Sequence, residues 1–170
     1  MIRTLLLFPL ILCLLIGCSP KNEAALPPAA TGFSCGITGT YQGDEVAGEL
    51  TRTAAGLLTV SLTKPAELDG LQMEWNGEVV TLRMLGLSWT VDPADVPEAA
   101  LGQRILDALD TVVYGGGTGE VVEGKLVTTG DAGNGTPFTL CSDPATGALL
   151  SLDVPSEELS LTFVDFQKMA

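Results

Sequence analysis

The stretch Leu71-Gln-Met-Glu-Trp75, Asn76-Gly77, Glu78-Val-Val-Thr-Leu-Arg-Met84 alternates apolar and polar residues on either side of a turn dipeptide. Alternation at period two marks a strand with one covered face. Asn-Gly is the preferred pair for a two-residue type I′ turn, because both central positions need positive φ. Such a turn pairs Trp75 with Glu78 and predicts Met73 opposite Val80 and Leu71 opposite Leu82. The other face then carries Gln72 opposite Thr81 and Glu74 opposite Val79. Turn chemistry and hydrophobic pattern agree, which is what fixes a register.

The same test works upstream. A Gly43-Asp44 turn sets Tyr41 against Val46 and Ile37 against Leu50. A three-residue loop at Ala54-Ala55-Gly56 then sets Leu50 against Val60 and Gly48 against Leu62. Ile37, Tyr41, Val46, Leu50, Leu58, Val60 and Leu62 therefore share one apolar face. Lys64-Pro65 ends the third strand, since proline cannot donate to a ladder. Downstream, Gly86 marks a kink before Leu87-Ser-Trp89-Thr-Val91.

The period changes at Asp95-Val-Pro-Glu98, which reads as a helix start with Asp95 as cap, Pro97 in the first turn and Glu98 closing a capping box. Leu101, Ile105, Leu109 and Val112 form an amphipathic stripe with Arg104, Asp107 and Asp110 away from it; Gly115-Gly116-Gly117 stops the helix. Strands resume at about 120–127, 136–141, 148–154 and 159–166. The expected class is mainly β with one helix: a curved antiparallel meander, either a half-barrel or an open barrel, with the amphipathic helix (about 96–113) packed on its concave face.

The N-terminus supplies an address. Arg3 precedes an apolar run from Leu5 to Ile16, and Leu15-Ile16-Gly17-Cys18 follows. The run is shorter than the roughly 20 residues a spanning helix needs. The four residues resemble the lipobox of bacterial lipoproteins, which implies a diacylglyceryl group on Cys18 and cleavage before it. Two acyl chains suffice for stable attachment where one does not. The expected organisation is a signal peptide (1–17), lipidated Cys18 with a Pro- and Ala-rich tether (18–31), and a single domain (32–170). The expected location is the extracytoplasmic face of the cell membrane.

Composition narrows the function. Without Arg3, seven basic residues remain against 21 acidic ones, a formal charge of −14. Such a surface repels nucleic acid. No histidine occurs, which removes Ser-His-Asp and Cys-His catalysis and histidine metal sites. Neither a metal nor another cofactor is expected. The run 119–125 fits most of a phosphate-loop pattern but ends in Leu126 where Ser or Thr is required. The loop 130–135 lacks the carboxylates calcium needs and reads as a hairpin turn at Asn134-Gly135. Cys35 and Cys141 could form a disulfide outside the cytoplasm. Regular alternation points their thiols to opposite sides, so a bond requires a bulge or a strand end.

Gly56, Leu58, Val60, Leu62, Lys64-Pro65, Met73, Trp75 and Asn76-Gly77 together make the run 46–84 look like the periplasmic lipoprotein-carrier superfamily, the LolA/LppX-like half-barrels. That resemblance implies a curved sheet closed by helices around an apolar, acyl-binding cavity. Carriers of that kind begin with a helix, whereas this chain passes from a tether into a strand. The whole chain also resembles small lipoproteins of anaerobic Gram-positive bacteria. The expected function is a non-enzymatic, membrane-anchored module that binds a lipid or other apolar ligand, with Met73, Trp75, Met84 and Trp89 lining the site. Core packing is the competing role for each tryptophan. The alternative is a structural or assembly lipoprotein with a packed interior and an acidic outer face. An enzyme with an unrecognised carboxylate site is the third reading.

Overall fold

A computed structural model describes residues 32–97 and 100–169. Cys18, the signal segment, the tether and Glu98 lie outside the described residues. Eleven strands form one open antiparallel sheet: β1 (Phe33–Tyr41), β2 (Asp44–Ala54), β3 (Leu57–Lys64), β4 (Gln72–Asn76), β5 (Val80–Met84), β6 (Leu87–Val91), β7 (Thr118–Val122), β8 (Lys125–Asp131), β9 (Pro137–Ser142), β10 (Leu149–Val154) and β11 (Leu159–Lys168). The single α-helix among the described residues, α1 (Leu101–Val113), links β6 to β7.

The spatial order is β6-β5-β4-β3-β2-β1-β11-β10-β9-β8-β7. Two meanders are thus joined at the centre by the first and last strands, with Tyr41 paired to Leu159 and Phe33 to Lys168. The expected antiparallel meander holds within each half, and the seam that joins the halves has no signal in the local sequence.

Sheet curvature follows from the helix contacts. α1 touches both β3 and β8. These strands are six spacings apart in the sheet, about 29 Å if flat at ~4.8 Å per strand. A helix is only about 10 Å across, so the sheet must curl around it. Gly39 and Gly48 permit this on the central strands. A Cβ there would lie 1.9 Å from the Ser160 carbonyl oxygen and 2.1 Å from that of Ser61, and such close approach of neighbouring strands is open only to glycine.

The expected faces hold, and two of the expected registers do not. Leu50 pairs with Val60 and Gly48 with Leu62, as expected. The first hairpin turns at Gln42-Gly43, both with positive φ, so Tyr41 pairs with Asp44 and Ile37 with Gly48. In the quoted hairpin the turn is Gly77-Glu78, with Gly77 at φ +89° in the first central position, as a type II′ turn requires. Asn76 Oδ1 instead accepts from the Glu78 and Val79 amides at 3.0 and 2.9 Å. Trp75 therefore pairs with Val80 and Met73 with Leu82. Each shift is two residues, so every side chain keeps its face.

The helix start is also corrected. Asp92, not Asp95, acts as a cap, accepting from the Ala94 amide at 2.9 Å over a 3-10 turn, Pro93–Asp95. Val96 is extended, as the residue before a proline tends to be. This breaks the run, and α1 begins only at Leu101 with Ala100 at its N-cap. The segment expected as one strand over 120–127 is a hairpin, β7–β8, turning at Glu123-Gly124.

Candidate functional site

α1 fills most of the concavity. Ile105, Ala108 and Leu109 are fully buried against Phe33, Ile37, Leu50, Leu58, Leu152 and Leu161 from both halves of the sheet. Among the described residues, the buried core runs from Phe33 to Phe163.

Polar clasps fix the helix to each half. On one side, buried Arg52 of β2 pairs with Asp110, whose Oδ1 also accepts from the Gly56 amide at 3.2 Å. Trp75 Nε1 donates to Gln103 Oε1 at 3.0 Å, and Gln103 Nε2 donates to Asp107 at 2.8 Å. On the other side, Arg104 donates to the Ala132 carbonyl at 2.8 Å and to Glu157 at 2.9 Å. Arg104, off the apolar stripe as expected, is nevertheless buried, because sheet and loops enclose the helix beyond that stripe. Thr111 Oγ1 donates to the Asp131 carbonyl at 2.8 Å.

A groove of about 580 Å³ runs along the outer side of α1, lined by Tyr114, Asp107, Asp110, Thr111 and the 93–96 turn. Its two carboxylates are engaged in the clasps just described, which gives them structural roles. Among the described residues, no group of three Cys, Asp or Glu could hold a metal ion.

The apolar candidate site lies where α1 begins. A pocket of about 220 Å³ is bounded by Tyr41, Val46, Leu62, Leu68, Leu71, Met73 and Leu101, with Gln42 and Asp44 at its polar edge. Burial first, then the nearby Glu157 carboxylate, raise the Tyr41 phenol above its ordinary pKa, against the pull of Arg104 and the Gln42 hydrogen bond. Met73 joins this pocket to a second surface. It pairs with Leu82, Leu82 pairs with Trp89, and Met84 pairs with Leu87. Directly paired residues share a sheet face, so these side chains form an apolar row on the concave side. The row runs out past the helix, and Leu87 and Trp89 are 59% and 50% exposed.

All four expected ligand residues share that face, and three of them, Met73, Met84 and Trp89, belong to the row. Trp75 does not contribute a free surface: it is buried, with its ring over Gly102 of α1. Leu71 and Leu82, which belong to the expected apolar face, join the site, as does Leu87, and their alternation with Met73 and Trp89 is the signal that marks them. Cys35 is buried and Cys141 partly exposed, and both are free.

These features define the class: an open, curved antiparallel half-barrel with one helix seated in its concavity. No protein-family model matches the sequence, and no curated protein does. Among solved structures, an uncharacterized conserved protein from Thermus thermophilus is similar in fold, with a TM-score of 0.53 and 14% identity over 82% of this chain and 80% of that one. A LolA superfamily protein from Nitrosomonas europaea is a more distant neighbour, at TM-score 0.41 and 13% identity over 83% of this chain and 87% of that one.

Proposed function

We propose that the protein is a membrane-anchored extracytoplasmic lipoprotein whose half-barrel binds a lipid or other apolar ligand where the helix leaves the sheet uncovered. The observation that carries this is the continuity, through Met73, of the pocket with the exposed row ending at Leu87 and Trp89. At about 220 Å³ the pocket is below the range that encloses a whole small molecule, roughly 300–1,000 Å³. It suits the end of a chain, with the remainder lying along the row. Anchoring rests on Leu15-Ile16-Gly17-Cys18 and on the two acyl chains that a lipidated cysteine carries.

The test is binding of a polarity-sensitive alkyl probe to the domain beginning at Ser19. Met73→Glu is expected to weaken binding at least tenfold without unfolding the domain, and Trp89→Ala to weaken it less. Cys18→Ala in the full chain is expected to release it from the membrane fraction. A folded domain that takes up no probe defeats the ligand reading. The solid packing around Ile105 and Leu109 would then favour a structural lipoprotein acting through its acidic surface.

A further inference from the structure

We infer, resting on the reading above, that the site accepts amphiphiles whose heads bear no negative charge and disfavours carboxylate or phosphate heads. Half of the pocket wall (Gln42, Asp44, Pro65, Leu68 and Leu71) comes from two segments, residues 42–45 and 64–71. These carry Asp44, Glu45, Glu67 and Asp69 against one basic residue, Lys64. Four acids less one base leave these segments at −3, with Asp44 lining the pocket itself, and Lys64 is already engaged by Glu45 at 2.6 Å. Arg83, the other cation on strands β4–β6, pairs with Gln72 rather than Met73 in register and donates to Glu74 at 2.5 Å. It therefore serves the opposite face. At the pocket edge, the Gln42 amide and the Asp44 carboxylate stand ready for hydroxyl, amide or ammonium groups.

An anionic head seated at this mouth meets only cations already held by carboxylates: Lys64 by Glu45, and Arg104, whose charge reaches Tyr41, by Glu157 at 2.9 Å. Three net charges about 8 Å away in a water-like medium weaken its binding roughly tenfold, and salt screens the effect because the Debye length is about 8 Å at physiological ionic strength. An ammonium head gains by a similar factor, and a sugar or glycerol head is unaffected.

Three ligands with the same ten-carbon tail separate these cases: decyl maltoside, decyltrimethylammonium and decanoate, each below its micelle concentration and followed by tryptophan emission of the domain beginning at Ser19. Decanoate is expected to bind about tenfold more weakly than the maltoside, with the gap closing at 1 M salt. The combined variant Asp44→Asn, Glu67→Gln, Asp69→Asn is expected to bring decanoate within about twofold of the maltoside. Equal affinity for all three in the unaltered domain would overturn the head-group selection and leave the apolar site standing. Binding of none would remove the ligand reading itself, and this inference with it.

Discussion

The indole of Trp75 lies against Gly102 so closely that a Cβ at residue 102 would fall 2.1 Å from the ring's Cη2 atom. A glycine inside a helix normally costs stability relative to alanine, about 1 kcal/mol. Here it creates the flat floor on which the ring rests, while Nε1 reaches Gln103 on the same turn. Gly102→Ala is therefore expected to destabilise the domain, because overpacking of about 1–3 kcal/mol outweighs the propensity gain. Urea unfolding reads the sign directly; an unchanged or higher midpoint would contradict the packing described.

Asp110 faces a guanidinium that is fully buried in the sheet. Removing one member of such a pair strands the other in a medium of low polarity. Asp110→Ala is expected to cost roughly 3 kcal/mol, whereas Asp107→Ala, one turn earlier and accepting from the neutral Gln103 amide, is expected to cost less. Chemical denaturation of the two variants side by side checks the contrast.

The tight turns show how far the sequence could be read. Gln42-Gly43, Leu85-Gly86 and Glu123-Gly124 all place both central residues at positive φ, with glycine second and no asparagine before it. Asn-Gly and Gly-Asp pairs point to the right hairpins, but they misplace two turns and give no sign of the break at Glu123-Gly124. Side-chain faces survive because each slip is even. The β1–β11 seam and the buried Arg52 and Arg104 are not legible, since they arise from closure of the sheet around the helix rather than from local periodicity. The site is half legible: alternation places Met73 and Trp89 on one face, but cannot show that α1 covers Trp75 and stops short of Trp89.

Those same turns offer a stabilising substitution. A non-glycine residue in the left-handed region costs roughly 1–2 kcal/mol, and asparagine bears it best. Glu123 has φ +50° on an exposed turn remote from the apolar pocket. Glu123→Asn is expected to raise stability by about 0.5–1 kcal/mol and to leave probe binding unchanged. A lower melting temperature would show that the carboxylate contributes something the backbone angles do not reveal.

Cys35 and Cys141 should differ in chemistry as they do in place. Burial pushes the Cys35 thiol up from 9.0 to about 12. The folded domain then holds that proton more firmly than the unfolded chain. Its effect on stability is constant below about pH 9 and turns unfavourable as pH climbs toward 12. Cys35→Ala is expected to flatten the alkaline loss of stability, and maleimide should label Cys141 of the native domain well before Cys35. Equal labelling rates would argue against the burial of Cys35.

The seam between the first and last strands bears on the order of events during synthesis and folding. Tyr41 meets Leu159, so the middle of the sheet cannot be knitted until nearly the whole chain has been made. Until then the emerging polypeptide holds two half-made sheets, each with a bare central edge open to wrong partners. A chain cut before Leu159 should therefore aggregate rather than persist as a smaller domain.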